Sequence, residues 1–250
     1  MTFPTGYGRR VLPEVDSTNA EAARIAAELS GPEWICALRQ TAGRGRRGRA
    51  WADQEGNLAA TLVMRVEDAP EVTALRSFVA ALALFDAFVT LTGRADAFSL
   101  KWPNDVLLNG GKVAGILLES FQVGGVRHLT IGTGVNLRRA PDTAQVETQA
   151  LRPVSLEGET GLDVTPEAFL DVLAGAYAKL EAQFVTHGFT PIRRAWLDRA
   201  ARLGEVVTAR TGTTQTTGTF DTVDEAGNLV LITSQGRVSI PAADVFFKES

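Results

Sequence analysis

Between Trp34 and Val66 the apolar residues gather into two short runs, Trp34–Leu38 and Leu58–Val66, on either side of a polar, glycine-rich stretch. Runs of that length and β-branched content predict two strands joined by a long loop. A shorter run, Val11–Val15, predicts a strand before Asp16-Ser17-Thr18-Asn19. Thr18 with Glu21 three residues on has capping-box spacing and predicts a helix through about Leu29. Pro70 opens a long apolar helix over 71–92. Strands follow at 98–101, 106–108, 113–121 and 127–137, the last two joined by a Gly124-Gly125 turn. Residues 138–161 are polar and irregular and predict a mobile loop. Helices are expected from Pro166 to about His187 and from Pro191 to about Ala201.

After Arg202 the texture changes. Segments 205–210, 215–221, 228–233 and 237–241 alternate apolar with polar and are separated by Gly204, Gly212, Gly227 and Gly236. That pattern predicts a small β-barrel of about 50 residues. The expected organisation is therefore an α+β domain over 1–201 and an all-β domain over 202–250.

Composition narrows the function classes. Apolar residues make up 45% and charged residues 22%, close to globular averages, so a packed core is expected. Net charge is −4, which argues against nucleic acid or an anionic membrane as the main partner. One cysteine excludes an internal disulfide and fits a reducing, cytoplasmic setting. Two histidines with one cysteine give no metal-ligand cluster. The N-terminus lacks the apolar core of a secretory signal, and the most apolar stretch, 78–89, is interrupted by Asp86 and falls short of the roughly 20 residues that cross a membrane.

Three stretches carry chemistry. Residues 43–49 hold Arg44, Arg46, Arg47 and Arg49 with Gly43, Gly45 and Gly48, just before Trp51. Guanidinium groups repel one another and glycine loses the most entropy on ordering, so such a loop is costly unless an anion accepts its hydrogen bonds. A solvated basic turn is the plainer alternative. The second stretch is Lys101-Trp102-Pro103-Asn104-Asp105 with Lys112 and Gly115 downstream, a cation, an amide and a carboxylate around a proline-fixed turn. The third is Ile131-Gly132-Thr133-Gly134-Val135-Asn136, whose alternate glycines leave one strand face bare for a ligand or for another backbone.

With Asp16-Ser17-Thr18-Asn19, the Gln40–Trp51 run and Gly56-Asn57-Leu58, these stretches resemble the biotin–protein ligases, in order and over nearly the whole chain. The resemblance implies a class II aminoacyl-tRNA synthetase/biotin ligase-like mixed sheet with helices, followed by a small SH3-like barrel. It implies an enzyme that activates biotin as biotinyl-5′-AMP with ATP and Mg²⁺, then forms an amide with one lysine of a biotin carboxyl carrier protein. It places Ser17, Thr18, Asn19, Gln40, Gly43, Arg44, Gly45, Arg46, Lys112 and Gly115 around biotin. Arg46, Arg49, Trp51, Asn104, Lys112 and Asn136 would hold ATP, with Trp51 near the adenine. Arg46 and Lys112 would act at the reacting centre, with Asp105 orienting neighbours or meeting the incoming lysine. Ser17 and Thr18 compete for these roles as helix caps.

The first strand begins about ten residues from Met1, which leaves no room for the winged helix-turn-helix of the repressor-type members, so no sequence-specific DNA binding is expected. Ala52-Asp53-Gln54-Glu55 stands where a Ser-Pro-containing turn is expected. Family members often pair through an exposed sheet edge, so a homodimer is open. Rival readings are a lipoate–protein ligase, which should lack the contiguous arginine-glycine run, a nucleic-acid-binding module, and a non-catalytic binding homologue.

Overall fold

The computed structural model describes residues 3–51, 55–142, 151–212 and 214–247. Its first sheet has seven strands: β1 (Gly8–Leu12), β2 (Glu33–Ala37), β3 (Leu58–Arg65), β4 (Phe98–Lys101), β5 (Asp105–Leu108), β6 (Gly111–Val123) and β7 (Val126–Val135). Their order is β1-β2-β3-β7-β6-β5-β4, parallel only between β1 and β2. Side chains alternate across each strand, so one face buries Trp34, Cys36 and Leu62 in the main core and the other buries Ile35 and Val63 in a smaller one.

Helix α1 (Thr18–Ile25) covers that second face. The first face is covered by α3 (Arg76–Thr92), which follows a short α2 (Pro70–Ala74), and by α5 (Pro166–His187). Helix α5 starts as its sequence predicts, with Pro166 in the first turn and Thr165 accepting a hydrogen bond from the Ala168 amide at 3.2 Å. Pro70–Thr92 is long and apolar enough to cross a membrane, yet 72% of its most apolar window is buried inside the protein. The membrane-length reading of 78–89 thus undercounted the helix, whose apolar faces are taken up by α5, α6 (Phe189–Leu197) and the sheet.

The second sheet has five antiparallel strands: β8 (Val206–Thr211), β9 (Thr214–Val223), β10 (Leu229–Thr233), β11 (Gly236–Ile240) and β12 (Asp244–Phe247). It docks through the second stretch singled out above. Trp102, 3% exposed, donates its indole N–H to Gly227 O at 3.0 Å. A Cβ on Gly227 would lie 2.9 Å from Leu75 and 3.0 Å from Phe78, so the turn needs glycine for its positive φ and for close approach.

Several expectations are corrected. β1 starts earlier than Val11, because its amides pair with β2 from Gly8 onward. Helix α1 stops at Ile25 and tightens into a 3₁₀ turn at Ala26–Glu28. Its N-cap is Ser17 and no side chain caps it, while Glu21 pairs with Arg24 at 2.7 Å. The capping box is therefore not formed. The 138–161 segment contains a short helix, α4 (Leu156–Thr160), capped by Ser155; residues 143–150 lie outside the described residues. So do Ala52, Asp53 and Gln54 of the unusual turn. Strand β12 was missed.

Candidate active site

The α1 face of the sheet ends in a cavity of about 880 Å³, within the range of small-ligand sites. Strand pairing shapes its floor. Gly115 of β6 lies directly opposite Gly134 of β7, and Gly132 lies between Thr61 of β3 and Leu117 of β6. A Cβ at Gly132 would sit 2.5 Å from Asn19 Oδ1, and one at Gly134 would collide with the Trp51 indole. The bare face expected from alternate glycines thus exists, and two polar or aromatic side chains from elsewhere lie on it.

At one end of the floor a hydrogen-bonded set gathers. Gln40 Oε1 accepts from the Thr18 amide at 2.9 Å and lies 3.1 Å from the Thr18 hydroxyl. Thr61 Oγ1 lies 2.7 Å from Thr18 Oγ1 and 2.6 Å from Asn19 Oδ1. Thr18, Asn19 and Thr61 are all buried. Neither side chain caps α1: the Thr18 hydroxyl is turned into this network, and Ser17 Oγ caps nothing.

The arginine-glycine run is a closed hairpin. Arg44 bridges Ala50, Gly45 N donates to Arg49 O at 2.7 Å, and Trp51 N donates to Gly43 O at 3.0 Å. Its tip, Arg46–Gly48, turns with positive φ at Arg47 and Gly48, which is why the tip carries glycine. Arg46 donates to Asn104 Oδ1 at 3.3 Å, and Asn104 Nδ2 donates to Ile116 O at 2.6 Å, so one carboxamide ties the hairpin to β6. On the other side, Arg47 and Arg49 both reach Asp244 Oδ2 of β12, at 2.6 and 2.8 Å. Burial lowers the Arg46 pKa from its ordinary value.

Beneath the hairpin lies a second charge cluster. Lys112 Nζ is 2.7 Å from Asp105 Oδ1, and Lys101 Nζ is 3.7 Å from Asp105 Oδ2. Burial alone would raise the Asp105 carboxyl, but the Lys112 and then the Lys101 ammonium outweigh it and hold the group below the usual carboxylate range. Burial pulls the Lys101 ammonium down from its ordinary value. Lys112 also faces the Trp51 ring at 5.7 Å, and Lys101 faces the Phe247 ring of β12 at 5.6 Å. Lys101, Lys112 and Arg46, with Arg47 and Arg49 behind them, thus surround two carboxylates, Asp105 and Asp244. The surplus is positive, and a multiply charged anion would balance it.

At the far end, Asn136 Nδ2 donates to Val154 O at 3.0 Å, while its buried Oδ1 has no partner among the described residues. An acceptor left without a bond in the interior calls for a ligand N–H. Of the residues that the resemblance places around biotin, ATP and the reacting centre, all but Gly43 line the cavity; Arg47, Gly48 and Trp102 of the same stretches do not. Gly43 instead closes the base of the hairpin against Gln40 and Trp51. Trp51 lies on Gly115 and Gly134, between the Thr18 end and the Asn136 end. Sequence reasoning missed Thr61, Glu119 behind Asn19, and the β12 contribution of Asp244 and Phe247. Lys101 was quoted in its motif without a role.

A glycine-floored cleft with an amide-hydroxyl pocket at one end, clustered cations in the middle and an unpaired acceptor at the other fits a module that binds a small acid beside a nucleotide. Residues 11–136 match the Biotin/lipoate A/B protein ligase family, and residues 203–248 match the Biotin protein ligase C terminal domain. The chain belongs to the biotin protein ligase family. It is 56% identical to a biotin–[acetyl-CoA-carboxylase] ligase of Paracoccus denitrificans, over 95% of this chain and 99% of that one. It is 32% identical to the bifunctional ligase/repressor BirA of Bacillus subtilis, over 94% of this chain and 73% of that one. Among solved structures, a biotin protein ligase from Aquifex aeolicus in complex with biotin and ATP superposes with a TM-score of 0.81 at 28% identity, covering 97% of this chain and 99% of that one.

Proposed function

We propose that the chain activates biotin with ATP as biotinyl-5′-AMP and transfers the biotinyl group to a lysine of a biotin carboxyl carrier protein. The observation that carries this reading is the order of groups along one cleft: a hydroxyl-amide pocket, then clustered cations, then an unpaired acceptor. The biotin ring lies at Ser17, Thr18, Asn19 and Gln40, where donors and acceptors match a cyclic urea. Its acyl chain runs over the Gly115–Gly134 floor beneath Trp51, toward Lys112 and Arg46. The adenine lies at the Asn136 end, where its amino group meets Asn136 Oδ1. Trp51 then covers the join between acyl chain and nucleotide rather than the adenine face alone. Arg44 and the Gly45 backbone close the biotin side, Arg49 the phosphate side.

In the first step a carboxylate oxygen of biotin attacks the α-phosphorus, and the bond to the β-phosphate bridging oxygen breaks, with pyrophosphate leaving. Both reactants are anions. Preplaced cations therefore lower the barrier more than any proton transfer could. Lys112 and Arg46 supply that charge, and Asp105 aims Lys112. A carboxylate held low is a weak base, so Asp105 is not assigned the proton of the carrier lysine. In the second step the neutral amine attacks the acyl carbon, AMP departs, and the nitrogen loses a proton to solvent. No group of three potential metal ligands occurs among the described residues, and Asp105 and Asp244 are already engaged by cations. Mg²⁺ would be held mainly by the ATP phosphates and would supply charge neutralisation for the leaving pyrophosphate. Residues 1–201 form the catalytic domain. The 202–250 domain completes the phosphate side of the cleft through Asp244 and Phe247. A single cysteine, the buried Cys36, favours a reducing compartment and with it the cytoplasm.

Biotin-dependent ATP–pyrophosphate exchange, repeated with lipoate and with no acid, tests the reading. Exchange with biotin alone is expected. Exchange only with lipoate would assign the site to that acid, and none with either would make it a binding protein. Arg46→Ala should cut exchange at least about tenfold without unfolding the protein, the loss expected for one charge-assisted contact. Normal exchange would remove Arg46 from the mechanism.

A further inference from the structure

Behind the hydroxyl-amide pocket stands a residue that touches no cavity surface. Glu119 projects from the exposed part of β6, and its Oε2 accepts from Asn19 Nδ2 at 2.7 Å. β6 alternates its side chains, so Gly115, Leu117 and Glu119 share the cavity face, with Glu119 two steps beyond the row that holds Thr61 and Gly132.

We infer that Glu119 is a positioning residue that sets the direction of the hydrogen bonds running from Asn19 through Thr61 to Thr18, so that the Thr18 hydroxyl presents its lone pairs to a urea N–H. This rests on the reading that the ring lies at Thr18. The reasoning is a count of protons. An ionised carboxylate only accepts, so Asn19 must turn its NH₂ toward Glu119 and its oxygen toward Thr61. That amide oxygen also only accepts, and it lies 2.6 Å from Thr61 Oγ1. Thr61 is in donating geometry to both Thr18 and Asn19 but has one proton; with that proton on Asn19, the 2.7 Å contact between the two hydroxyls is bridged by the Thr18 proton. The 3.1 Å contact of Thr18 with Gln40 Oε1 is the longer of its two hydroxyl contacts. With its proton committed inward, Thr18 Oγ1 faces the cleft as an acceptor. The wedge of Asn19 against Gly132 leaves its carboxamide little room to move aside. Without a fixed acceptor at position 119 the amide can flip, and each hydroxyl behind it can reverse.

Calorimetric titration of biotin and, separately, of ATP into the full chain tests this, because it needs no turnover. Glu119→Ala should weaken biotin about tenfold and leave ATP within about twofold. Glu119→Gln, whose amide oxygen can take the same bond, should restore affinity to within about threefold. Glu119→Lys is the decisive variant. It places a donor where an acceptor stood and should weaken biotin at least as much as Ala. If Glu119 acted only through its charge, the added cation would tighten an anionic ligand. Tighter biotin binding by the Lys variant, unchanged binding by the Ala variant, or equal losses for biotin and ATP would each overturn the inference. Thr18→Val in parallel separates two failures: wild-type affinity in both Thr18→Val and Glu119→Ala would show that the ring lies elsewhere. Biotin-dependent exchange by the wild type stands or falls independently of all these variants. Because Glu119 is exposed on its strand, the substituted proteins should melt within about 2 °C of wild type.

Discussion

Lys112→Met should reduce biotin-dependent exchange by roughly 100-fold, about 2.7 kcal/mol, with the fold retained. Lys112 lines the cleft, with its side chain 32% exposed and its ammonium 2.7 Å from Asp105. Methionine keeps the length of the stem and its contact with Trp51 but removes the charge. Asp105 keeps Lys101 at 3.7 Å, so the carboxylate is not stranded and global unfolding is not expected. Removing the Lys112 ammonium should also let the Asp105 carboxyl climb toward its ordinary value, since that ammonium is the strongest influence holding it down. The loss should appear in kcat more than in the KM for biotin, because the charge is needed most as the pentavalent phosphorus forms. A variant with near-normal kcat would remove Lys112 from the reacting centre.

Gly134→Ala should lower adenylation by on the order of tenfold through a different route. The added methyl overlaps the Trp51 indole, and overpacking of this kind costs about 1–3 kcal/mol. Most of that strain is relieved if the indole leaves the sheet, which opens the cleft over the acyl chain. Fluorescence can follow the movement. Trp34, Trp102 and Trp196 are at most 3% exposed, so Trp51 dominates quenching by iodide. Gly134→Ala should increase that quenching and raise the KM for biotin. Unchanged quenching with normal activity would show that the strand has room after all.

What the sequence disclosed follows from how local each requirement is. The arginine hairpin, the Lys101–Asp105 turn and the alternate glycines of β7 each bring their chemistry within a dozen residues, so residue type and spacing sufficed. The glycine stripe even carried its geometric meaning, because a missing Cβ matters only where something lies on top. Contacts that cross the fold left no such mark. Asp244 meets Arg47 and Arg49 from nearly 200 residues away, and Glu119 of β6 reaches Asn19 of α1 across 100 residues. Thr61 looked like an ordinary β-former until its register placed it beside Gly132. Phe246 and Phe247 ended a polar tail in which a fifth strand showed only one clear alternation. The capping box failed for a related reason. Thr18 satisfies the local pattern, but Gln40 and Thr61 offer its hydroxyl a buried network instead.

Calorimetry with a non-reactive ATP analogue, α,β-methylene ATP, tests most directly whether the cation cluster lets two anions lie side by side. Its affinity would be measured with the protein saturated by biotin, an acid, or by biotinol, the neutral alcohol of the same shape. For the wild type the two values should agree within about twofold, since Lys112 and Arg46 neutralise the carboxylate. For Lys112→Met the analogue should bind at least about tenfold more weakly beside biotin than beside biotinol, a coupling of about 1.4 kcal/mol. Equal affinities beside both ligands in that variant would contradict charge neutralisation as the basis of the site.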